Sequence, residues 1–134
     1  MMRLLFQRAS LWWFFAIGWA SLIFYMSSRS DVPEPGFWLP PHADKIIHAL
    51  IYAVFATILY TAWRLSGVGR TGAAWLALVV ASLYGATDEW HQVSVAGRAS
   101  DVWDWVADTI GACIVFLLAR YEWVITFKRR LTLP

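Results

Sequence analysis

Apolar residues gather into four runs along the 134-residue chain, separated by polar breaks. The first is LWWFFAIGWASLIFYMSS, 11–28, and the second, IIHALIYAVFATILYTAWRL, covers about 46–65. The third, AAWLALVVASLYGAT, covers about 73–87, and the fourth about 104–125. At about 1.5 Å per residue, a helix needs roughly 20 residues to cross the hydrocarbon layer. The first two runs suffice as they stand. The third crosses only if its helix continues through Asp88 and Glu89 to His91, a span of about 73–91. The fourth has to begin near Asp101 to Asp104. The pattern predicts an all-α fold: a polytopic membrane protein, one domain over 1–134, built as a four-transmembrane-helix bundle.

Composition agrees with lipid as the solvent. The chain is 60% apolar and 15% charged, and a soluble domain of this size has too little interior to hide that much apolar surface. The first run is longer than a signal-peptide core and no small-x-small cleavage site follows it, so it is expected to remain as a helix. The single Cys113 offers no disulfide and no thiol cluster, and is expected to pack inside the fourth helix. A net charge of +2, spread along the flanks of the apolar runs, does not suit a nucleic-acid partner.

The flanks set an orientation. Arg3, Arg8, Arg64, Arg70, Arg120, Lys128, Arg129 and Arg130 fall on one side, and only Arg29, Lys45 and Arg98 on the other. The excess of positive charge places both termini and the 66–72 turn in the cytoplasm of a multi-pass protein. The breaks RSDVPEPGFWLPPHADK and HQVSVAGRASD then face outward. Pro33, Pro35, Pro40 and Pro41 keep the first of these non-helical. Trp38, Trp90, Trp103 and Trp105 sit where an aromatic belt is expected.

The outward breaks carry the chemistry. Helical spacing puts Asp44, His48 and Tyr52 in one stripe on the second helix. Tyr84, Asp88 and His91 form another on the third, with Gln92 beside it, and Asp101, Asp104 and Asp108 a third on the fourth. Charges facing lipid are costly, so the stripes are expected to turn inward and meet in one outward-opening pocket. Lys45 and Glu89 fall off the stripes and take the rim, within reach of the interior. Six carboxylates (Asp44, Asp88, Glu89, Asp101, Asp104 and Asp108) then face Lys45 and Arg98, a surplus of four negative charges with neutral histidines. Protonated carboxylates, charged histidines, a divalent cation or a cationic ligand can each compensate it. Oxygen and imidazole donors suit Zn, Mn or Mg, with His48, Asp88, His91 and Asp104 as candidate ligands, although DEWHQ is not a zincin motif. Plainer readings stand beside these. Asp101 or Asp104 caps the fourth helix, His48 is a hydrogen-bonded bundle histidine, and Arg98 snorkels or pairs with Asp101.

DKIIHALIYAVFA followed by YGATDEWHQVSVAGRASDVWDWVADTIGA resembles the VanZ-like family. The resemblance falls on Asp44, Lys45, His48 and Tyr52, on Asp88, Glu89 and Gln92, and on Gly97, Arg98, Asp104, Asp108 and Gly111. Asp108 stands where that family usually has Asn, which adds acidity and removes an amide donor. The resemblance implies a small bacterial membrane protein of the cell envelope, in the cytoplasmic (inner) membrane. Founding members are linked to teicoplanin resistance. The expected partner is a membrane lipid or lipid-linked envelope precursor whose head enters the pocket, with a second copy of the chain as another candidate. Asp44, Lys45, Tyr52, Glu89, Gln92, Arg98, Asp101 and Asp108 are the candidate ligand-binding groups. In an alternative reading the protein is a metal-dependent or acid/base hydrolase or transferase acting on that head. His48 or His91 then serves as base or metal ligand, with Asp88 and Asp104 supporting it and Arg98 gripping an anion.

Overall fold

The computed structural model describes residues 2–30 and 42–132, with side chains over 8–30 and 42–126. The prolines at 33, 35, 40 and 41 and Trp38 lie outside the described residues, as do the side chains of Arg3, Lys128, Arg129 and Arg130. Five helical segments form among the described residues: α1 Met2–Ser27, α2 Ala43–Leu65, α3 Arg70–Gln92, α4 Val102–Ala112 and α5 Ile114–Thr132. Arg8–Ser27, Ala43–Leu65 and the combined Val102–Thr126 are long and apolar enough to cross a membrane. α3 equals α2 at 23 residues. It is less apolar because one face is mostly Ala and its last turn holds buried Asp88 and Glu89. The protein is a helical membrane bundle.

One expectation needs correction. The fourth span is not a single unbroken helix with Cys113 packed inside it. α4 ends at Ala112, and Cys113 is exposed at the break. Its N–H is shared between the carbonyls of Thr109 (3.2 Å) and Ile110 (3.1 Å), the tightened turn that commonly marks a local bend.

The bend lies two residues beyond Gly111, where α4 meets α2. A Cβ at Gly111 would fall 2.8 Å from the Ala49 Cα, so only glycine lets the two backbones approach this closely. α2 and α4 run in the same sense. Stepping back from that contact brings Asp108 level with His48, and Asp104 and Asp101 level with Lys45.

α2 is the hub, packing on α1, α3 and α4. Its buried side chains include Tyr52, Phe55, Ala56, Leu59 and Tyr60. α3 answers with Ala73, Ala77, Ala81 and Gly85, small residues four apart that let helices pack closely without a hydrophobic drive from lipid. α1 leans on the hub through aromatic side chains. Trp13 meets the Trp63 ring edge-on at 4.7 Å, and Trp19 donates to the Ile51 carbonyl at 3.2 Å. The outer faces expose Phe14, Ile17, Leu50, Leu83 and Leu117, the surface of a protein solvated by acyl chains.

Candidate functional site

Ionisable groups cluster at the end of the bundle where α2 and α4 begin and α3 finishes; this is termed the acidic end. Lys45 is its central cation. Its Nζ lies 2.5 Å from Asp101, 2.6 Å from Asp104 and 3.0 Å from Asp44. Asp101 also caps α4, accepting the Trp103 N–H at 2.9 Å from an extended backbone. The capping reading of Asp101 and its role beside Lys45 therefore coexist. The Lys45 ammonium holds the Asp101 carboxyl below the ordinary carboxylate range.

One turn deeper, His48 Nδ1 faces Asp108 Oδ1 at 3.0 Å. Asp108 is fully buried, and its Oδ2 has no hydrogen-bond partner among the described residues. Gly85 makes room for it, since a Cβ there would approach Oδ2 to 2.9 Å. With Nδ1 turned to a carboxylate, the imidazole presents Nε2 as the atom free for chemistry. Glu89 closes this layer from α3. Its Oε2 accepts the Asp101 N–H at 2.8 Å, while its Oε1 is buried without a partner among the described residues.

On the other side of His48 a cavity of about 420 Å³ opens between α1, α2 and α3. Trp19, Leu22, Ile23 and Met26 form its apolar wall. Asp44, His48, Tyr52, Asp88, Gln92 and Arg98 face them. Asp88 is steadied by Gln92, whose Nε2 donates to Oδ2 at 3.3 Å. Among the described residues, three buried atoms of the lining have no partner: Ser27 Oγ, Tyr52 Oη and Arg98 Nε. No carboxylate lies within ion-pair distance of Arg98 among the described residues, so it does not pair with Asp101.

The three predicted stripes do not converge on one point. Those of α2 and α4 meet, through Lys45 and His48. The α3 stripe divides. Asp88 lines the cavity, Tyr84 donates to the Ala20 carbonyl of α1 at 2.6 Å, and His91 turns away. His91 stacks on Phe24 at 4.7 Å and bonds Ser28 Oγ at 2.9 Å. It does not join His48. Lys45 and Glu89, expected at the rim, point inward instead, and Glu89 is only 6% exposed. The candidate metal set changes accordingly. Among the described residues, the close donor group is His48, Glu89 and Asp104, without Asp88 or His91. Glu89 had a sequence signal, because it continues the buried series Ala73, Ala77, Ala81, Gly85 by one more step of four. Lys45 had one too, four residues before Ala49, which carries α4.

Apolar helices around a part-buried polar cavity and a cluster of carboxylates define a multi-pass membrane protein whose ionisable groups gather at one end of its bundle. The chain belongs to the VanZ/LLP1 family, whose profile matches residues 12–126. No curated protein and no solved structure matches it.

Proposed function

We propose that this VanZ-type protein holds the polar head of a lipid or lipid-linked envelope precursor in the cavity at its acidic end. The observation that carries this is the two-sided lining: acyl-like walls from α1 opposite Arg98, Asp88, Tyr52 and Gln92. A detergent-like molecule with a phosphate or other anion fits such a lining. Its anion meets the Arg98 guanidinium, which has no carboxylate partner among the described residues, its hydroxyls or amine meet Asp88, and its first methylenes meet Leu22 and Met26. The distribution of Lys and Arg supports an outward-facing acidic end, and the connection to glycopeptide resistance enters through the precursor held there.

A second reading, hydrolysis or transfer at that head, draws on the His48–Asp108 pair, with the imidazole among the cavity's lining groups as the base.

Mass spectrometry of lipid extracted from the purified chain tests the binding reading. Wild type should carry about one lipid, and Ile23→Trp, which fills the cavity, should carry none. Equal lipid in both would refute it. Orientation has its own test in a Cys113→Ser background. An impermeant thiol reagent should label Ser94→Cys in intact cells and spare Gly69→Cys; the opposite result reverses the topology.

A further inference from the structure

We infer that the acidic end binds one divalent transition-metal ion, ligated by His48, Glu89 and Asp104, with Asp108 orienting the imidazole. The inference concerns the α2–α3–α4 side of His48 and stands whether or not the cavity holds a lipid.

The geometry comes first. One donor atom from each of the three side chains lies within 4.8 Å of the other two. Donors about 2.0–2.2 Å from a shared ion sit roughly 3–4 Å apart, so a small inward movement closes the shell. The three come from three different helices, and an ion there would tie the bundle together at its polar end.

Unmet bonding is the second observation. Glu89 is 6% exposed and its Oε1 has no donor among the described residues. A buried carboxylate oxygen left this way is costly unless a proton or a cation supplies the missing partner. Asp104 commits one of its two oxygens, Oδ1, to Lys45 at 2.6 Å.

The third observation is the support behind the ligand. Asp108 faces His48 Nδ1 at 3.0 Å, the arrangement by which a carboxylate fixes the ring and raises the basicity of Nε2.

Charge points the same way. Asp44, Asp101 and Asp104 contact the Lys45 ammonium, and Asp108 and Glu89 lie beside His48; five carboxylates against one ammonium leave four negative charges, with His48 neutral, that a divalent ion would halve. An imidazole with two carboxylates favours Zn²⁺ or Mn²⁺ over the oxygen-seeking Ca²⁺ and Mg²⁺.

The full chain, purified in detergent and stripped with chelator, is incubated with Zn²⁺ or Mn²⁺ alone, desalted and assayed for metal and melting temperature. Wild type should retain about one ion per chain and melt higher with it. Glu89→Gln, close in shape to the native side chain, should retain none, and Asp104→Asn should behave the same should Glu89→Gln fold poorly. Asp108→Asn should weaken binding by about 10–100-fold. His91→Ala should bind as wild type does. A wild type that retains no ion and melts unchanged overturns the inference. So does undiminished binding by the folded Glu89→Gln or Asp104→Asn, and so does loss of the ion in His91→Ala.

Discussion

Ionisable side chains gather at both ends of α2, and the two gatherings are built on different terms. At the end where α2 finishes, Glu122 of α5 receives Arg64 through Nε at 3.1 and 3.0 Å and through a further guanidinium nitrogen. Tyr60 donates to the same carboxylate at 2.5 Å, and Arg64 also reaches the Val68 carbonyl at 2.6 Å. One anion meets one cation and each principal group has a partner. At the acidic end three of six carboxylates crowd Lys45, Arg98 pairs with none, and five buried polar atoms lack partners among the described residues: Ser27 Oγ, Tyr52 Oη, Glu89 Oε1, Arg98 Nε and Asp108 Oδ2. A closed cluster holds helices together. An open one, kept at a cost in stability, is what a binding site looks like before its ligand arrives.

The contrast is broken most completely at Gly111. Gly111→Leu drives a side chain into the Ala49 backbone and separates the α2 and α4 faces that assemble the acidic end. A loss of at least about 3 kcal/mol is expected, or failure to recover monodisperse protein. Near-normal melting would mean that the two helices need not touch for the site to form.

Charge removal should then act in opposite ways at the two ends. Glu122→Gln takes a partner from both Arg64 and Tyr60, and melting measurements should show a loss of about 1–3 kcal/mol. In chelator-stripped protein Asp104→Asn leaves Lys45 with Asp44 and Asp101 and relieves repulsion, so stability should stay within about 1 kcal/mol of wild type or rise. The same change should abolish the protein's envelope phenotype. Equal destabilisation by both variants, with function kept in Asp104→Asn, would make the acidic end structural.

A smaller effect lies in the acid limb of stability. Lys45 depresses the Asp101 carboxyl. Stability from such a group is complete above its unfolded pKa and disappears as pH falls through the lower folded value. The wild-type melting temperature should therefore decline below about pH 4, and Asp101→Asn should show less of that decline. Superimposable acid profiles would remove Asp101 from the ion-pair network.

Much of this was legible in the chain. Run lengths gave the spans because hydrocarbon thickness fixes how many apolar residues a helix needs, and the spacing of Asp101, Asp104 and Asp108 put all three on the face that meets α2. What escaped was rotation. Periodicity tells which residues share a face but not which neighbour that face meets. Tyr84, Asp88 and His91 do share a face, and it is turned toward α1, which takes His91 onto Phe24 and leaves Glu89 to complete the acidic layer. The break at Cys113 was hidden because no proline marks it; it lies two residues beyond the contact of Gly111 with α2. Glu122 belongs to no polar stripe, and only the three-dimensional pairing of α2 with α5 brings it to Arg64.

The difference between an open and a closed end is tested most directly by thermal melting with and without added bacterial polar lipid, for wild type, Arg98→Gln and Arg64→Gln. A ligand that binds only the folded state raises stability in proportion to its occupancy. Arg64→Gln should start lower than wild type, since it opens the closed cluster, yet gain the same lipid-dependent increment. Arg98→Gln should start near wild type and gain little or nothing. An undiminished increment in Arg98→Gln, or one lost only in Arg64→Gln, would contradict the placement of the ligand at the acidic end.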